Sequence, residues 1–336
     1  MVKIAFQTSN LNIRGACTAI YDYADYSEKI LGYSCIIIVP IDYTLKSELK
    51  VIEKFKNRFE IYEYILKEYI DNILQEQSCD ILYTIKYGRF DGIFSHRFPT
   101  LVHCCFEMSQ PHGDMYIAVS NTLAKKYGRK DSLSHIVRPV VMYTKKDARD
   151  IIEEKYGICI PRDKIVIGRH GGHETFNLDE IREGVLEIVQ ERNDIFFLFV
   201  NTPIWCDNDN IMHIDKFCDT TFKELYLSAC DGILEASTLG HTFGLNVAEG
   251  SVANRPIFVY NGWVWNNAHL EILGENGIKF KDKREFKEKV LNFNPKDYEG
   301  KDLNYYRAYY PEKIIPLFDM YVQKTIKNFK MKKINN

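Results

Sequence analysis

The sequence predicts an α/β protein made of two doubly wound parallel-sheet domains facing each other across a cleft. Three observations carry this prediction. The chain has 336 residues, enough for about two domains at roughly 100–200 residues each. Short apolar runs alternate with segments of helical period, as parallel strands covered by helices require. The alternation occurs twice, with one proline-bearing extended stretch between the two series.

In the first series, residues 2–7 are apolar and β-rich. Residues 14–31 place Ala16, Ile20, Tyr23, Tyr26 and Ile30 at helical spacings of three and four. Residues 35–39 form a continuous apolar run, the pattern of a strand covered on both faces. Helix is expected over 46–55, strand over 59–64, helix over 69–75 and strand over 80–85. Two short strands follow at 100–106 and 115–119, and Ser120 caps a helix through 127. Residues 135–142, HIVRPVVM, read as a last strand running into the linker. The first domain is thus expected over 1–143.

The second series covers 144–304. A charged helix at 145–156 leads into strands at 164–167, 195–200, 211–214, 232–235 and 256–260. Helices are expected at 178–192, 221–230, 246–252 and 284–291. The last helix, 311–330, has no strand after it, so the stretch 305–330 is free to return and brace the first domain.

Composition narrows the function classes. The 20 Phe, 22 Tyr and 3 Trp supply enough surface to bury to exclude a disordered chain. A net charge of −2 gives no global pull towards nucleic acid or anionic membrane. No apolar run approaches the roughly 20 residues of a membrane-spanning helix, and the N-terminus MVKIAFQTSN does not read as a secretory leader. Nine cysteines without a CxxC pair suit reduced thiols in a cytoplasmic protein and supply no zinc-ligand spacing. The C-terminal 321–336 holds five lysines and no acid. This reads as a solvated helix end, or as a weak membrane-surface or partner contact at the inner membrane face.

In open α/β sheets, ligands bind beyond the carboxyl ends of the strands. The segment at 231–260, DGILEASTLGHTFGLNVAEGSVANRPIFVY, is the most informative by that rule. Gly244 lets backbone approach a ligand closely, and the N–H groups of Leu245 and Asn246 open a helix, an arrangement suited to a diphosphate. Glu249, one turn on, suits a pair of ribose hydroxyls. A strand-to-helix turn with no ligand explains the same residues.

The segment resembles the donor-binding signature of retaining glycosyltransferases of family 4, which have the GT-B fold: two Rossmann-like domains with a C-terminal helix returning to the first. HTFGLNVAE carries the signature's second Glu as Glu249, with Thr242, Phe243, Gly244, Leu245 and Asn246 between, and His241 stands where the first Glu is expected. The downstream ANRPIFVY, and AHLEILGENGIKF from Ala268, fit the same pattern. At the start of the second domain, Gly168 and Arg169 match a strand end whose Arg neutralises the leaving diphosphate. The Lys expected five residues later is Glu174, so His170, His173 and Gly171–Gly172 are the substitutes at hand. His103, at a first-domain strand end, matches a His that reaches the donor sugar, and Arg14–Gly15 match a glycine-bearing first loop.

The resemblance implies transfer of a sugar from a nucleoside-diphosphate sugar to a glycan, lipid or protein acceptor, with retention at the anomeric carbon. His103, Arg169 and His241 are the expected catalytic residues. No cofactor and no metal are expected. Asp207-Asn208-Asp209 resembles a metal-binding D-x-D but reads as a polar turn. Two other readings stand beside this one: a binding protein that has lost transfer, and an epimerase or hydrolase of nucleotide sugars on the same architecture.

Overall fold

The computed structural model describes residues 1–172, 174–215 and 219–335. The chain divides into two compact units, Met1–Ile136 with Ala308–Asn336, and Val137–Arg307.

The first unit contains strands β1 (Lys3–Gln7), β2 (Ser34–Pro40), β3 (Glu60–Tyr64), β4 (Ile81–Lys86), β5 (Thr100–Cys104) and β6 (Met115–Ala118). Helices α1 (Gly15–Leu31), α2 (Leu49–Lys56), α3 (Ile70–Glu76) and α4 (Asn121–Lys126) connect or follow them. All pairings are parallel, in the order β3-β2-β1-β4-β5-β6. Every residue of β4 and β5 is buried, so neither strand alternates between a buried and an exposed face.

The second unit runs α5 (Lys145–Tyr156), β7 (Ile165–Arg169), α6 (Asp179–Glu191), β8 (Ile195–Val200), β9 (Ile211–Ile214), α7 (Thr220–Ala229), β10 (Gly232–Glu235), β11 (Gly240–His241) and α8 (Leu245–Val252). It continues with β12 (Ile257–Tyr260), β13 (Asn266–Asn267), α9 (Ala268–Leu273), β14 (Ile278–Phe280) and α10 (Lys283–Leu291). Its main sheet, β14-β12-β10-β7-β8-β9, is again all parallel. Counted from its own first strand, the order matches that of the first unit, the Rossmann order. The short β11 and β13 pair with each other alone.

The last helix, α11 (Pro311–Asn335), belongs to the first unit and packs on α1, β5 and β6. Its Phe318 lies 4.9 Å from Tyr23 and 5.1 Å from Tyr83, ring centre to ring centre. Two of its lysines turn onto the same unit: Lys324 meets Asp131 at 3.2 Å and Lys332 meets Asp114 at 2.9 Å.

The structure corrects the expectations in three places. Residues 135–142 form no strand, because the outer edge of β6 is occupied by a bridge between Ala118 and Ser132, and Leu133 donates its N–H to Ala118. Pro139 moreover has no N–H to offer a ladder. In α1 the buried face is wider than the predicted stripe and rotated from it: Ile30 is exposed, whereas Asp22 and Asp25 are buried. Lys29 and Arg58 reach Asp25 there at 2.8 and 2.9 Å. The elements α9, β11, β13 and β14 have no counterpart among the predicted ones, being too short to show a period.

Candidate functional site

A doubly wound sheet opens where neighbouring strands send their connections to opposite faces. In the second unit those strands are β7 and β10, aligned with Gly232 opposite Ile167 and Ile233 opposite Gly168. Their last residues are Arg169 and Glu235, so two opposite charges end adjacent strands.

Both are deeply buried, Arg169 at 1% exposure and Glu235 at 2%. The Arg169 guanidinium donates to Thr202 Oγ1 at 2.6 Å, to the Gly172 carbonyl at 3.1 Å and to Thr175 Oγ1. It therefore ties down the loop after β7 and has no exposed face. Burial would raise the Glu235 carboxyl, but the adjoining His241 ring, with Arg169 behind, holds it down at about 2.

From Glu235 a chain of contacts crosses the end of the sheet. Its Oε1 lies 2.8 Å from His241 Nε2, an ion-pair distance off the straight line of a hydrogen bond. Its Oε2 accepts from Asn246 Nδ2, which also donates to the His170 carbonyl at 3.3 Å. His170 Nε2 meets Glu249 Oε2 at 2.8 Å, and Lys223 Nζ donates to Glu249 Oε1 at 2.5 Å. Burial pushes the Glu249 carboxyl up, but Lys223 and His170 prevail and bring it to about 2. His269, edge-on to His241 at 5.0 Å, is held neutral by burial, its pKa lowered to about 3.

The turn between β11 and α8 has one conformational requirement. Gly244 caps α8 at φ +88°, and a Cβ there would lie 2.9 Å from the Cβ of His269. The cap has no side chain bonding the first turn, so the opening N–H groups of α8 are left to a ligand or solvent. Thr242 and Leu245 are half-buried. Phe243 is core: its ring packs on Tyr306 at 5.6 Å, and its carbonyl accepts from the Tyr306 hydroxyl. Gly168 is likewise a packing glycine, since a Cβ would come within 2.4 Å of Tyr226 Oη and Cys230 Sγ. These two corrections share a cause: both residues face the interior.

Of the expected residues, the second unit thus gathers Arg169, His241, Gly244, Leu245, Asn246 and Glu249. His173 lies outside the described residues. The sequence reading missed Glu235 and Lys223. Glu235 had a signal, a lone acid ending an apolar strand. Lys223 had none, because it reaches Glu249 from a separate helix, α7. Asp207-Asn208-Asp209 folds as a turn, with Asn208 bridging to Ile211. Among the described residues no group of three or more His, Cys, Asp or Glu is placed to hold a metal.

His103 belongs to the first unit, and its expected role as a sugar contact is corrected. The ring has no exposed surface. Nδ1 sits 2.7 Å from the Tyr83 hydroxyl, among the rings of Tyr23, Tyr83 and His135. Burial lowers its pKa to about 4, as for a neutral core histidine. Arg14 and Gly15 are exposed where the β1 connection enters α1, Arg14 as its N-cap.

No family model matches the chain, and no curated protein does. Solved structures resemble it over nearly its whole length. A glycosyltransferase from Rickettsia africae superposes with a TM-score of 0.66 at 17% identity, over 98% of this chain and 94% of that one. HepE from Anabaena, in complex with UDP and glucose, gives 0.69 at 10% identity over 96% and 100%. A UDP-GlcNAc 2-epimerase from Neisseria meningitidis bound to UDP-GlcNAc gives 0.62 at 12% over 96% and 99%. At such identities the likeness is one of fold. The chain has the GT-B fold, with two parallel six-stranded sheets, interleaved helices and a C-terminal helix.

Proposed function

We propose that this protein is a glycosyltransferase that takes its sugar from a UDP sugar bound to the second unit. The observation that carries the reading is the end of the β7–β10 sheet, where an uncapped helix start, Lys223 and His170 converge beside Glu249. A diphosphate needs N–H donors and cations, and a ribose needs a carboxylate; these groups offer both within one turn of α8. Uridine as the base draws its support from the UDP and UDP sugars bound to the structural neighbours.

In this reading Glu249 exchanges its bonds to His170 and Lys223 for the ribose hydroxyls, and the two released side chains turn their N–H groups to the diphosphate. Transfer proceeds with retention. As the anomeric carbon–oxygen bond breaks, negative charge grows on the leaving diphosphate, and fixed donors stabilise it without reorganising. Arg169 contributes charge from beneath and rigidity to the loop. The acceptor, a glycan, lipid or protein, binds the first unit.

The test is thermal stability with UDP-, GDP- and dTDP-sugars, followed by product identification. A ligand at 100 times its Kd adds about 2.7 kcal/mol. A shift with UDP sugars and a glycosylated product supports the reading; an isomerised donor supports the epimerase alternative, which the Neisseria neighbour favours. No shift with any nucleotide sugar overturns both.

A further inference from the structure

We propose that Glu235 is a positioning residue for His241: it keeps the ring proton on Nε2 and turns Nδ1 outward to accept a hydrogen bond from a sugar hydroxyl. The inference rests on the donor reading above and adds a substrate requirement, a free hydroxyl on the sugar where it meets His241.

The argument begins with Asn246. Its Nδ2 donates to both Glu235 Oε2 and the His170 carbonyl, so its amide has one workable orientation, NH₂ towards Glu235. That leaves Oε1 of Glu235 for His241, 2.8 Å from Nε2. A carboxylate has no proton to give and its charge repels a nitrogen lone pair, so the tautomer that suits this 2.8 Å approach carries the proton on Nε2. A neutral imidazole with its proton on Nε2 has Nδ1 as acceptor. Exposure separates the two side chains: Glu235 keeps 2% of its surface and His241 keeps 18%. A ligand therefore meets the imidazole while the carboxylate stays behind it. The acid that the resemblance expects at position 241 stands instead at 235, one layer deeper, and acts through a ring that can accept a hydroxyl proton at Nδ1. Gly244 and His269 also pack near the ring and bring no further carboxylate.

Glu235→Gln tests this by forcing a reversal. Asn246 still presents NH₂, so the glutamine must turn its oxygen to Asn246 and its own NH₂ to His241. Nε2 then becomes the acceptor, and the proton moves to Nδ1. Ring ¹⁵N NMR of the intact protein, titrated to the neutral imidazole and assigned by loss of the signal in His241→Asn, reads the tautomer directly. The expected result is Nε2–H in the parent and Nδ1–H in Glu235→Gln. With it, kcat/KM for UDP-glucose should fall about tenfold while the Kd of UDP changes less than about twofold. A parent with Nδ1–H overturns the proposal without any variant, and so does a variant that keeps Nε2–H. A reversed tautomer with unchanged kcat/KM removes the contact to the sugar. A parent that binds no UDP or UDP-glucose overturns the donor reading, an outcome the tautomer does not depend on.

Discussion

The end of β5 in the first unit and the ends of β7 and β10 in the second resolve burial in opposite ways, although the two sheets share one strand order. In the first unit the end of β5 is dry and aromatic. His103 is enclosed by Tyr23, Tyr83 and His135, and the cheapest state for its ring is the neutral one. In the second unit the ends of β7 and β10 keep their charges, because each carboxylate there, Glu235 buried and Glu249 partly so, meets a cation or an N–H: Glu235 has His241 and Asn246, and Glu249 has His170 and Lys223. A buried charge is retained where polar and oppositely charged groups surround it and is given up where the surroundings are rings. Only the second arrangement offers fixed charges to an anionic ligand.

The strongest way to break this comparison is to remove the hub of the charged network. Asn246→Leu strips a donor from ionised Glu235 and from the His170 carbonyl, and should cost roughly 4 kcal/mol. All three tryptophans, 205, 263 and 265, lie in the second unit, so their fluorescence follows that unit alone. The denaturant midpoint by fluorescence should fall well below the parent's. An unmoved midpoint would make the network ornamental.

The dry end gives the next effect, and it depends on pH. The folded state holds His103 at about 4, against about 6.5 in an unfolded chain. Between these values the unfolded state binds the extra proton. The stability is therefore whole above pH 6.5 and lost as pH falls towards 4, at about 1.4 kcal/mol per pH unit. Glu235 and Glu249, held at about 2, keep their contribution through that window and lose it only below the ordinary carboxyl range. The stability difference between the parent and His103→Leu should thus shrink by roughly 3 kcal/mol from pH 7 to pH 4, measured by denaturant melts followed by circular dichroism. A constant difference would show that the ring titrates in the folded state as it does in water.

Glu249→Ala sharpens the functional half of the comparison. If the carboxylate holds the ribose, UDP binding weakens by about 2 kcal/mol, some thirtyfold in Kd by calorimetry. If Glu249 only neutralises Lys223, its removal frees that cation and UDP binds more tightly. The sign of the change decides between the two roles. The smallest effect belongs to the surface: Lys332→Ala removes an exposed pair with Asp114 and should change stability by less than about 0.5 kcal/mol. A larger loss would make the α11 end a structural brace.

Much of the fold was legible in the chain. Strands 195–200, 211–214 and 232–235 were read to the residue, because each is a short apolar run bounded by turn residues. The glycine-bearing start of α8 was also legible, since Gly244 announces a left-handed cap in its own neighbourhood. The segment at 135–142 was not: its residues suit a strand, but the edge it needed was already bridged by Ser132.

The sequence by itself determined the two alternating series, the returning last helix and the FGL turn. Each is a matter of residues a few positions apart, and local sterics and periodicity act at that range. Only the tertiary structure decided which groups became partners. Lys223 reaches Glu249 from a separate helix, Glu235 stands behind His241, and His103 turns into an aromatic core instead of towards a ligand. Whether a titratable group keeps its charge depends on what surrounds it in space, and that is set by the packing of elements far apart in the chain.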